Sequence, residues 1–253
     1  MDSENTKSRK SILLIVGVSI IGIIAFPVWK ILKTFGIRSL SERRGRLVML
    51  MDLDKCIGCN ACSVACKAEN GVALGGFRTR VLEKEYGEYP EVRRYFLPVM
   101  CNHCKDAPCL QACTNKAIVR RKDGIVNIDK EKCKGFGLCI AACPYGAIYM
   151  NPDLEPSQQV AKYPSRQLMK SDKCNFCLHR IDEGLEPACS NTCPTNARIF
   201  GDLSDETSLV YQIVKEEKLT GLLEEKGTWP QVFYRGGNKA IFHVEKSINK
   251  REE

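Results

Sequence analysis

The residues most able to do chemistry are the fifteen cysteines, all of which lie between Cys56 and Cys193. They form four tight groups along the chain. The groups are Cys56, Cys59, Cys62 and Cys66; Cys101, Cys104, Cys109 and Cys113; Cys133, Cys139 and Cys143; and Cys174, Cys177, Cys189 and Cys193. Disulfide frameworks favour an even number of cysteines in a short chain. This odd, clustered set instead indicates thiolate ligands to metal ions or metal clusters.

The spacing within the groups favours iron–sulfur clusters. The first group reads C-x2-C-x2-C-x3-C, in which three thiolates hold three corners of one cubane and the fourth reaches a neighbouring cluster. The second and fourth groups lengthen this pattern only before the third cysteine. Gly58, Ala61 and Ala65 are small, so they leave room for inorganic sulfide beside the first group.

Zinc is the alternative metal, because structural zinc sites are also built from C-x2-C pairs. Zinc ribbons use two pairs for each ion, whereas this chain has runs of three cysteines with a fourth three residues later. A chain of zinc ribbons would also leave an odd number of thiolates unused. A zinc-binding interaction module therefore remains the alternative to an iron–sulfur protein.

The third group lacks one cysteine. Residues 133–143 keep the frame of the first group, with Phe136 where the second cysteine belongs. One corner of that cluster then has no protein thiolate, which predicts a [3Fe-4S] cluster with an apolar, water-excluding ring at the vacant corner. A full cubane with a non-protein ligand is the alternative. The predicted cofactors are three [4Fe-4S] clusters and one [3Fe-4S] cluster.

The elements that must position these cysteines repeat along the chain. We predict a unit of strand, cysteine loop and short helix carrying the last cysteine, beginning with the strand-like run Leu47–Met51. Asp123-Gly124 predicts a hairpin before the third group. The tail has no cysteine; one or two helices within Leu203–Leu223 and a strand within residues 227–234 are expected to cover the cluster region or a partner.

Charge is concentrated at the N-terminus. Residues 1–46 carry nine basic and three acidic side chains, whereas residues 47–253 carry 29 and 27. The nearly neutral body argues against a nucleic-acid-binding domain with a broad basic face. The uncharged run Ser11–Trp29 has nineteen residues, long enough for a helix that spans a bilayer. A cleaved export signal is the alternative.

The side of the membrane is predicted from the residues before this run. Residues 8–13 resemble a twin-arginine export signal with Lys10 in place of the second arginine. Flanking charges, by count, favour a cytoplasmic body, but large domains translocate largely regardless of such charge. We therefore expect a membrane-anchored protein with its cluster domain on the extracytoplasmic face, and otherwise on the cytoplasmic face.

Residues 47–203 resemble a known family. The phrases that carry the resemblance are DKCIGCNACSVACKAEN, FLPVMCNHCKDAPCLQAC, DGIVNIDKEKC, CPYGAIY and KCNFCLHRIDEGLEPACSNTCPTNARIFGDL. They are similar to the four-cluster electron-transfer subunit of membrane-associated molybdopterin oxidoreductases, such as dimethyl sulfoxide, polysulfide, tetrathionate and nitrate reductases. A similar subunit occurs in the membrane redox complexes that accompany sulfite reductase. Nitrate-reductase-type subunits also carry an aromatic residue at the position of Phe136.

The resemblance implies how the cysteines are shared among clusters, with groups one and four holding two clusters and groups two and three the others. The implied sets are Cys56, Cys59, Cys62 and Cys193 for cluster one; Cys174, Cys177, Cys189 and Cys66 for cluster two; Cys101, Cys104, Cys109 and Cys143 for cluster three; and Cys133, Cys139 and Cys113, with Phe136 at the vacant corner, for the three-iron cluster.

The implied fold class is α+β, with two ferredoxin-like dicluster modules, one inserted in the other, and an N-terminal transmembrane helix. The predicted segments are a basic tail 1–10, an anchor or uncleaved export signal 11–32, a linker 33–46, module A 47–98 and 164–203, module B 99–163, and a C-terminal extension 204–253.

The function implied is an electron relay in anaerobic respiration, between a quinone-reactive integral membrane subunit and a molybdopterin catalytic subunit or cytochrome partner. No catalytic residue and no nucleic acid partner are predicted. An anchored polyferredoxin without fixed partners is a further alternative. Two sets of residues beside the clusters have open roles. Lys55, Lys132 and Lys173 either offset cluster charge or are solvated, and His103 and His179 are expected to hydrogen bond or pack.

Overall fold

The structure is a computed structural model that describes residues 45–151, 169–237 and 242. The predicted tail 1–10, the anchor or export signal 11–32 and most of the linker 33–46 lie outside the described residues. Within the part of the chain that is described, no helix is both long and apolar enough to cross a membrane.

The described residues form short strands and helices, as the α+β prediction requires. The strands are β1 (Leu47–Asp52), β2 (Thr79–Tyr86), β3 (Arg93–Met100), β4 (Ile118–Arg120), β5 (Val126–Ile128), β6 (Tyr149–Met150), β7 (Ser171–Asp172), β8 (Arg198–Asp202) and β9 (Val232–Arg235). The helices are α1 (Ala61–Asn70), α2 (Pro108–Gln111), α3 (Leu138–Ala142), α4 (Leu178–Ile181), α5 (Ala188–Asn191), α6 (Leu209–Glu216) and a 3-10 turn (Glu224–Lys226).

The largest sheet brings the first and last cysteine groups together. Its order is β8-β1-β9, and every residue of the central strand β1 is buried. β1 leads into group one and β8 follows group four. The two strands are antiparallel, with Met51 opposite Arg198. Because antiparallel neighbours place the end of one strand beside the start of the other, Cys56 and Cys193 lie at the same end of the sheet.

Two smaller pairings position the other groups. β4 follows group two, β5 precedes group three, and they pair as an antiparallel hairpin with Ile118 opposite Ile128. This confirms the hairpin predicted from Asp123-Gly124 and joins groups two and three. β6 follows group three, β7 precedes group four, and Tyr149 lies opposite Asp172. That pairing brings the end of group three beside the start of group four.

The C-terminal tail is part of the sheet that carries group one. β9 pairs in parallel with β1, and α6 is the one α-helix within the range predicted for one or two. Backbone amides of Lys105 and Asp106, between two cysteines of group two, donate to the carbonyls of Trp229 and Thr228. The tail therefore covers the cluster region, as predicted.

One expectation about the repeated unit is wrong. Among the described helices only α1 carries the last cysteine of its group; α2, α3 and α5 carry the cysteine before the last, and the last lies beyond the helix end. Cys143 and Cys193 each precede a proline, and the residue before proline avoids helical backbone. Cys143 is accordingly extended, with φ −77° and ψ 114°.

Candidate cofactor site

All fifteen cysteines are free thiols, and most are part of the core. Eleven are buried, Cys56, Cys113 and Cys193 are half-buried, and Cys59 is exposed. No three His, Cys, Asp or Glu side chains of the described residues are grouped so as to hold a single metal ion. The cysteine groups are instead arranged as interleaved sets.

Groups one and four interleave. Burial raises the pKa of Cys56, and the negative charges of Cys62 and Cys193 raise it further. Burial also raises the pKa of Cys66 to about 12, with the charge of Cys189 as the next cause. Thus Cys193 of group four is a neighbour of group one, and Cys66 of group one is a neighbour of group four.

Groups two and three interleave in the same way. Burial raises the pKa of Cys109 to about 12, with added effects of the charges of Cys101 and Cys143. The pKa of Cys139 is raised by burial, and the charge of Cys113 contributes. Each group therefore has its fourth cysteine beside the other group.

The sets of thiols also lie next to one another. Burial raises the pKa of Cys189, and the charge of Cys62 adds to it, which joins the two sets made by groups one and four. Burial raises the pKa of Cys174 well above its ordinary value, and Cys101 of group two is among the charges that add to it. The three sets that contain Cys62, Cys174 and Cys101 are therefore adjacent in the fold.

Two cavities lie among the cysteines of groups two and three. One is lined by Cys101, Cys104, Cys109 and Cys143. The other is lined by Cys113, Cys133, Cys139 and Phe136. Phe136 lines this second cavity and is 67% exposed.

The donor set fits iron–sulfur clusters. Buried thiols with raised pKa values need positive charge nearby to ionise, and cluster iron supplies it. Backbone amides already face the sulfurs: Phe176 N donates to Cys174 Sγ at 3.3 Å and Ala117 N donates to Cys113 Sγ at 3.2 Å. The Asn70 side chain donates to Cys177 Sγ at 3.5 Å. Such N–H groups stabilise sulfur that carries negative charge.

The turn inside each first cysteine pair needs a left-handed residue. Gly58 and Gly135 provide it in groups one and three, with φ 71° and 76°. A Cβ at Gly58 would lie 2.4 Å from the Phe96 ring, so glycine is also required by space. Groups two and four place His103 and Phe176 there, with φ 45° and 54°. A non-glycine residue in this conformation costs about 1–3 kcal/mol, and its neighbours must hold it there.

The three lysines that precede cluster loops have different environments. Lys55 and Lys132 have side chains that are 50% and 63% exposed, so they are solvated. Lys173 is 2% exposed, and its ammonium group donates to the carbonyls of Val126 and Cys174. Lys173 therefore places a positive charge between group four and the β5 strand.

A second buried cation was not found by sequence reasoning. Arg198, the first residue of β8, is 3% exposed and donates to Thr79 Oγ1 at 2.9 Å. Burial opposes its charge, but the charges of Cys189 and Cys62 keep its pKa above the ordinary value. Arg198 thus lies beside thiols of groups one and four. The only sequence signal is an arginine five residues after the last cysteine.

The carboxylate of Asp172, two residues before group four, connects three other segments of the chain through hydrogen bonds. Arg78 donates to both carboxylate oxygens of Asp172, at 2.8 Å and 3.0 Å. Lys130 Nζ and the Tyr149 hydroxyl also donate to this carboxylate, at 2.7 Å and 2.6 Å. Burial would raise the pKa of Asp172, but the two cations hold it well below its usual range.

The two histidines beside cysteines differ. His179 is half-exposed and lies 2.6 Å from Glu69, as a hydrogen-bonding role predicts. His103 is 1% exposed, and burial holds its pKa well below the ordinary value. Thr228 of the tail hydrogen bonds to Tyr145 and Cys104. The tail therefore places a polar side chain against two residues that line a cysteine cavity, which the sequence did not indicate.

Comparison with known proteins agrees with this donor set. Residues 92–203 match the family described as a 4Fe-4S dicluster domain, and residues 47–68 match a 4Fe-4S binding domain. Both descriptions favour ferredoxin-like iron–sulfur domains over the zinc-binding alternative.

Several known proteins are similar to this chain over most of its length and most of their own. The chain is 41% identical to a Halobacterium salinarum protein named as a dimethyl sulfoxide reductase iron-sulfur subunit, over 75% of this chain and 78% of the relative. It is 38% identical to a tetrathionate reductase subunit of Salmonella typhimurium, over 78% and 75%. It is 33% identical to the Hdr-like menaquinol oxidoreductase iron-sulfur subunit 1 of Archaeoglobus fulgidus, over 90% and 97%.

The family descriptions name the cofactor, and the relatives are subunits of reductases and of a menaquinol oxidoreductase. In this chain, cysteines of groups two and three line two cavities, and thiols of groups one and four are neighbours. The chain belongs to the family of iron–sulfur electron-transfer subunits of dimethyl sulfoxide, tetrathionate and related oxidoreductases.

Proposed function

We propose that this subunit relays single electrons between a quinone-reactive membrane subunit and a molybdopterin catalytic subunit or a haem-containing redox partner. One observation carries the proposal: the second position of each cysteine group is exposed at groups one and three and buried at groups two and four. Cys59 and Phe136 reach the surface, whereas Cys104 and Cys177 are buried. A relay needs two accessible ends joined by an interior path.

The proposed ligand sets follow the neighbours found among the thiols. Cluster one takes Cys193 from group four, and cluster two takes Cys66 from group one. Cluster three takes Cys143 from group three, and the three-iron cluster takes Cys113 from group two. The charges that Cys193, Cys189 and Cys143 exert on their neighbours support this sharing. Module A at 47–98 and 164–203 and module B at 99–163 are the corresponding proposed units.

Both exposed ends carry apolar side chains suited to protein partners. Ile57 and Val64 are 59% and 66% exposed beside group one, and Leu138 is 49% exposed next to Phe136. Exposed apolar side chains grouped around a functional site mark interaction surfaces. We assign the group-three end to the quinone-reactive subunit and the group-one end to the catalytic or haem partner.

In this proposal the clusters carry the electrons, and the protein chain holds the clusters and sets their surroundings. The clusters, when bound, accept and donate one electron at a time at potentials set by charge, hydrogen bonds and solvent exposure. The chain holds the thiolates, excludes water around Cys101, Cys109, Cys143 and Cys174, and places Lys173 among them. No bond of a substrate is made or broken on this chain.

The proposal is tested with the intact complex. Membranes that contain the chain are solubilised in mild detergent, and partners that co-purify are identified by mass. Addition of a quinol analogue should reduce the clusters, and the terminal acceptor should reoxidise them. A chain that purifies alone and takes no electrons from quinol would instead be an anchored polyferredoxin.

The three-iron assignment makes a separate prediction. The isolated protein should contain about fifteen irons and give the magnetic resonance signal of an oxidised [3Fe-4S] cluster. Phe136→Cys should convert this site to a cubane and lower its potential, because a thiolate adds negative charge. Phe136→Leu is the matched control and should keep the three-iron signal. About sixteen irons in the unmodified protein would show that another ligand fills the corner.

The anchor prediction concerns residues 11–32. We expect the protein to stay in membranes after a carbonate wash, because Ser11–Trp29 carries no charge. Replacing Arg9 and Lys10 with Gln should block export of the body, measured by protease access in cells stripped of outer layers. Replacing Lys30 and Lys33 with Gln is the control and should leave export intact. A soluble chain beginning beyond residue 36 would contradict the anchor.

A further inference from the structure

Two rings meet where group two and group four come together. His103 lies between Cys101 and Cys104, and Phe176 lies between Cys174 and Cys177. The rings are stacked, with centroids 3.9 Å apart and planes at 26°. Both residues are 1% exposed. Each residue takes the left-handed backbone conformation that glycine adopts at the same place in groups one and three. The two stacked rings therefore belong to the two turns in which a larger residue stands in place of glycine.

The hydrogen bonds of His103 determine which ring nitrogen carries the proton. Its Nδ1 accepts from the backbone amide of Val126 at 3.2 Å. A nitrogen that accepts such a bond carries no proton, so the proton of the neutral ring is on Nε2. Nε2 is buried and has no partner among the described residues. A buried donor without an acceptor is costly, so an acceptor is missing at this place.

The position of His103 indicates what that acceptor is. His103 lines the same cavity as Cys101, Cys104, Cys109 and Cys143. Thiolate and inorganic sulfide are acceptors, and they are what the cluster of this cavity supplies. Asn102 is the other buried polar side chain in this turn without a partner. Cluster sulfur could accept hydrogen bonds from the Asn102 amide nitrogen, but it would leave the Asn102 side-chain oxygen without a donor. In His103, by contrast, Nε2 is the one side-chain atom without a partner among the described residues, and it is a donor.

We propose that His103 Nε2–H donates a hydrogen bond to a sulfur of cluster three and thereby raises the potential of that cluster relative to the same site without the donor. The bond strengthens when an electron adds negative charge to the cluster. The Phe176 ring packs against the His103 ring and fixes its orientation. The group-two turn that carries the His103 donor is therefore packed against the group-four turn. This inference rests on the proposed relay and its ligand sets.

His103→Phe tests the proposal, because it keeps an aromatic ring in the stack and removes the donor. Redox titration followed by magnetic resonance should show a lower potential for cluster three, with about a tenfold smaller equilibrium constant for one-electron reduction, about 59 mV. The other clusters should shift much less. His103→Gln, whose amide can both donate and accept, should recover part of the shift. An unchanged cluster-three potential in a fully loaded His103→Phe protein would overturn the proposal.

The matched control is His179→Phe, since His179 also lies beside a cysteine but is half-exposed and paired with Glu69. It should leave all cluster potentials unchanged. Iron and acid-labile sulfide are measured in every variant. A normal iron content with no shift disproves the donor role alone, whereas an unmodified protein without iron and acid-labile sulfide disproves the proposed relay.

A measurement on the unmodified protein covers the case in which His103→Phe does not assemble. Protein labelled with ¹⁵N-histidine is partly reduced, and pulsed magnetic resonance records the nitrogen and exchangeable proton coupled to cluster three. We expect one histidine nitrogen with an exchangeable proton, and His179→Phe should retain both signals. Absence of a histidine coupling in the reduced cluster would overturn the proposal without any variant at position 103.

Discussion

Replacing Cys193 with serine is expected to damage the cluster held by Cys56, Cys59 and Cys62, and to leave intact the cluster held by Cys174 and Cys177. The reason is the antiparallel pairing of β1 with β8, which places Cys193 at the end of the sheet where group one begins. The charge of Cys193 acts on Cys56 accordingly. The expected loss is up to about four irons, measured with magnetic resonance of the remaining clusters.

Paired variants identify the cluster that is lost. If Cys193 and Cys59 share one cluster, the double variant should lose no more than about four irons, as either single variant does at most. Cys193→Ser combined with Cys177→Ser should lose up to about eight irons, because two clusters are then damaged. Additive losses for Cys59 with Cys193, and non-additive losses for Cys177 with Cys193, would assign Cys193 to its own group instead.

Asp172→Ala should be the most destabilising change outside the cysteines. It leaves Arg78 buried without its carboxylate partner and removes an acceptor from Lys130 and Tyr149. Breaking a buried ion pair by removing one partner costs about 3–5 kcal/mol. The expected result is a lower urea midpoint in anaerobic unfolding of the cluster-loaded protein, together with weaker pairing of β6 with β7.

Asp182→Ala is the matched control for this loss. Asp182 also pairs with an arginine, Arg121 at 2.7 Å, but its side chain is 46% exposed. Exposed pairs contribute about 0–1 kcal/mol, because water and salt screen them. Equal urea midpoints for Asp172→Ala and Asp182→Ala would show that burial does not determine how much Asp172 contributes to stability.

Acid should act through the same carboxylate. Its pKa is lower in the folded than in the unfolded protein, so its stabilising contribution is full above the ordinary carboxyl pKa of about 3.9. The contribution falls as pH drops below that value toward the folded pKa. Asp172→Asn should therefore flatten this part of the stability profile, measured by unfolding at stepped pH. An unchanged acid slope would contradict the role given to Arg78 and Lys130.

The sequence by itself determined the donor chemistry, because ligands within one loop are local. Spacing alone identified the four groups, and the absence of a thiol at Phe136 is visible in the chain. The strand before group one and the hairpin at Asp123-Gly124 were also predictable, since each depends on residues adjacent in sequence. Family comparison then agreed with iron–sulfur rather than zinc.

Only the tertiary structure decided which residues surround those donors. Lys55, Lys132 and Lys173 occupy equivalent places before cysteine loops, yet only Lys173 is buried. Arg198 reaches the thiols because β8 pairs with β1. The burial of a residue and the charges around it depend on segments far away in the sequence. The neighbouring residues in the sequence therefore do not predict them.

The same reason explains the remaining differences. His103 meets Phe176 across 73 residues of sequence, and Thr228 of the tail meets Cys104 across more than a hundred. Phe136 is 67% exposed, which its place in the third cysteine group did not indicate. Side-chain type sets what a residue can donate or accept, but long-range packing decides whether water, another ring or a cluster lies beside it.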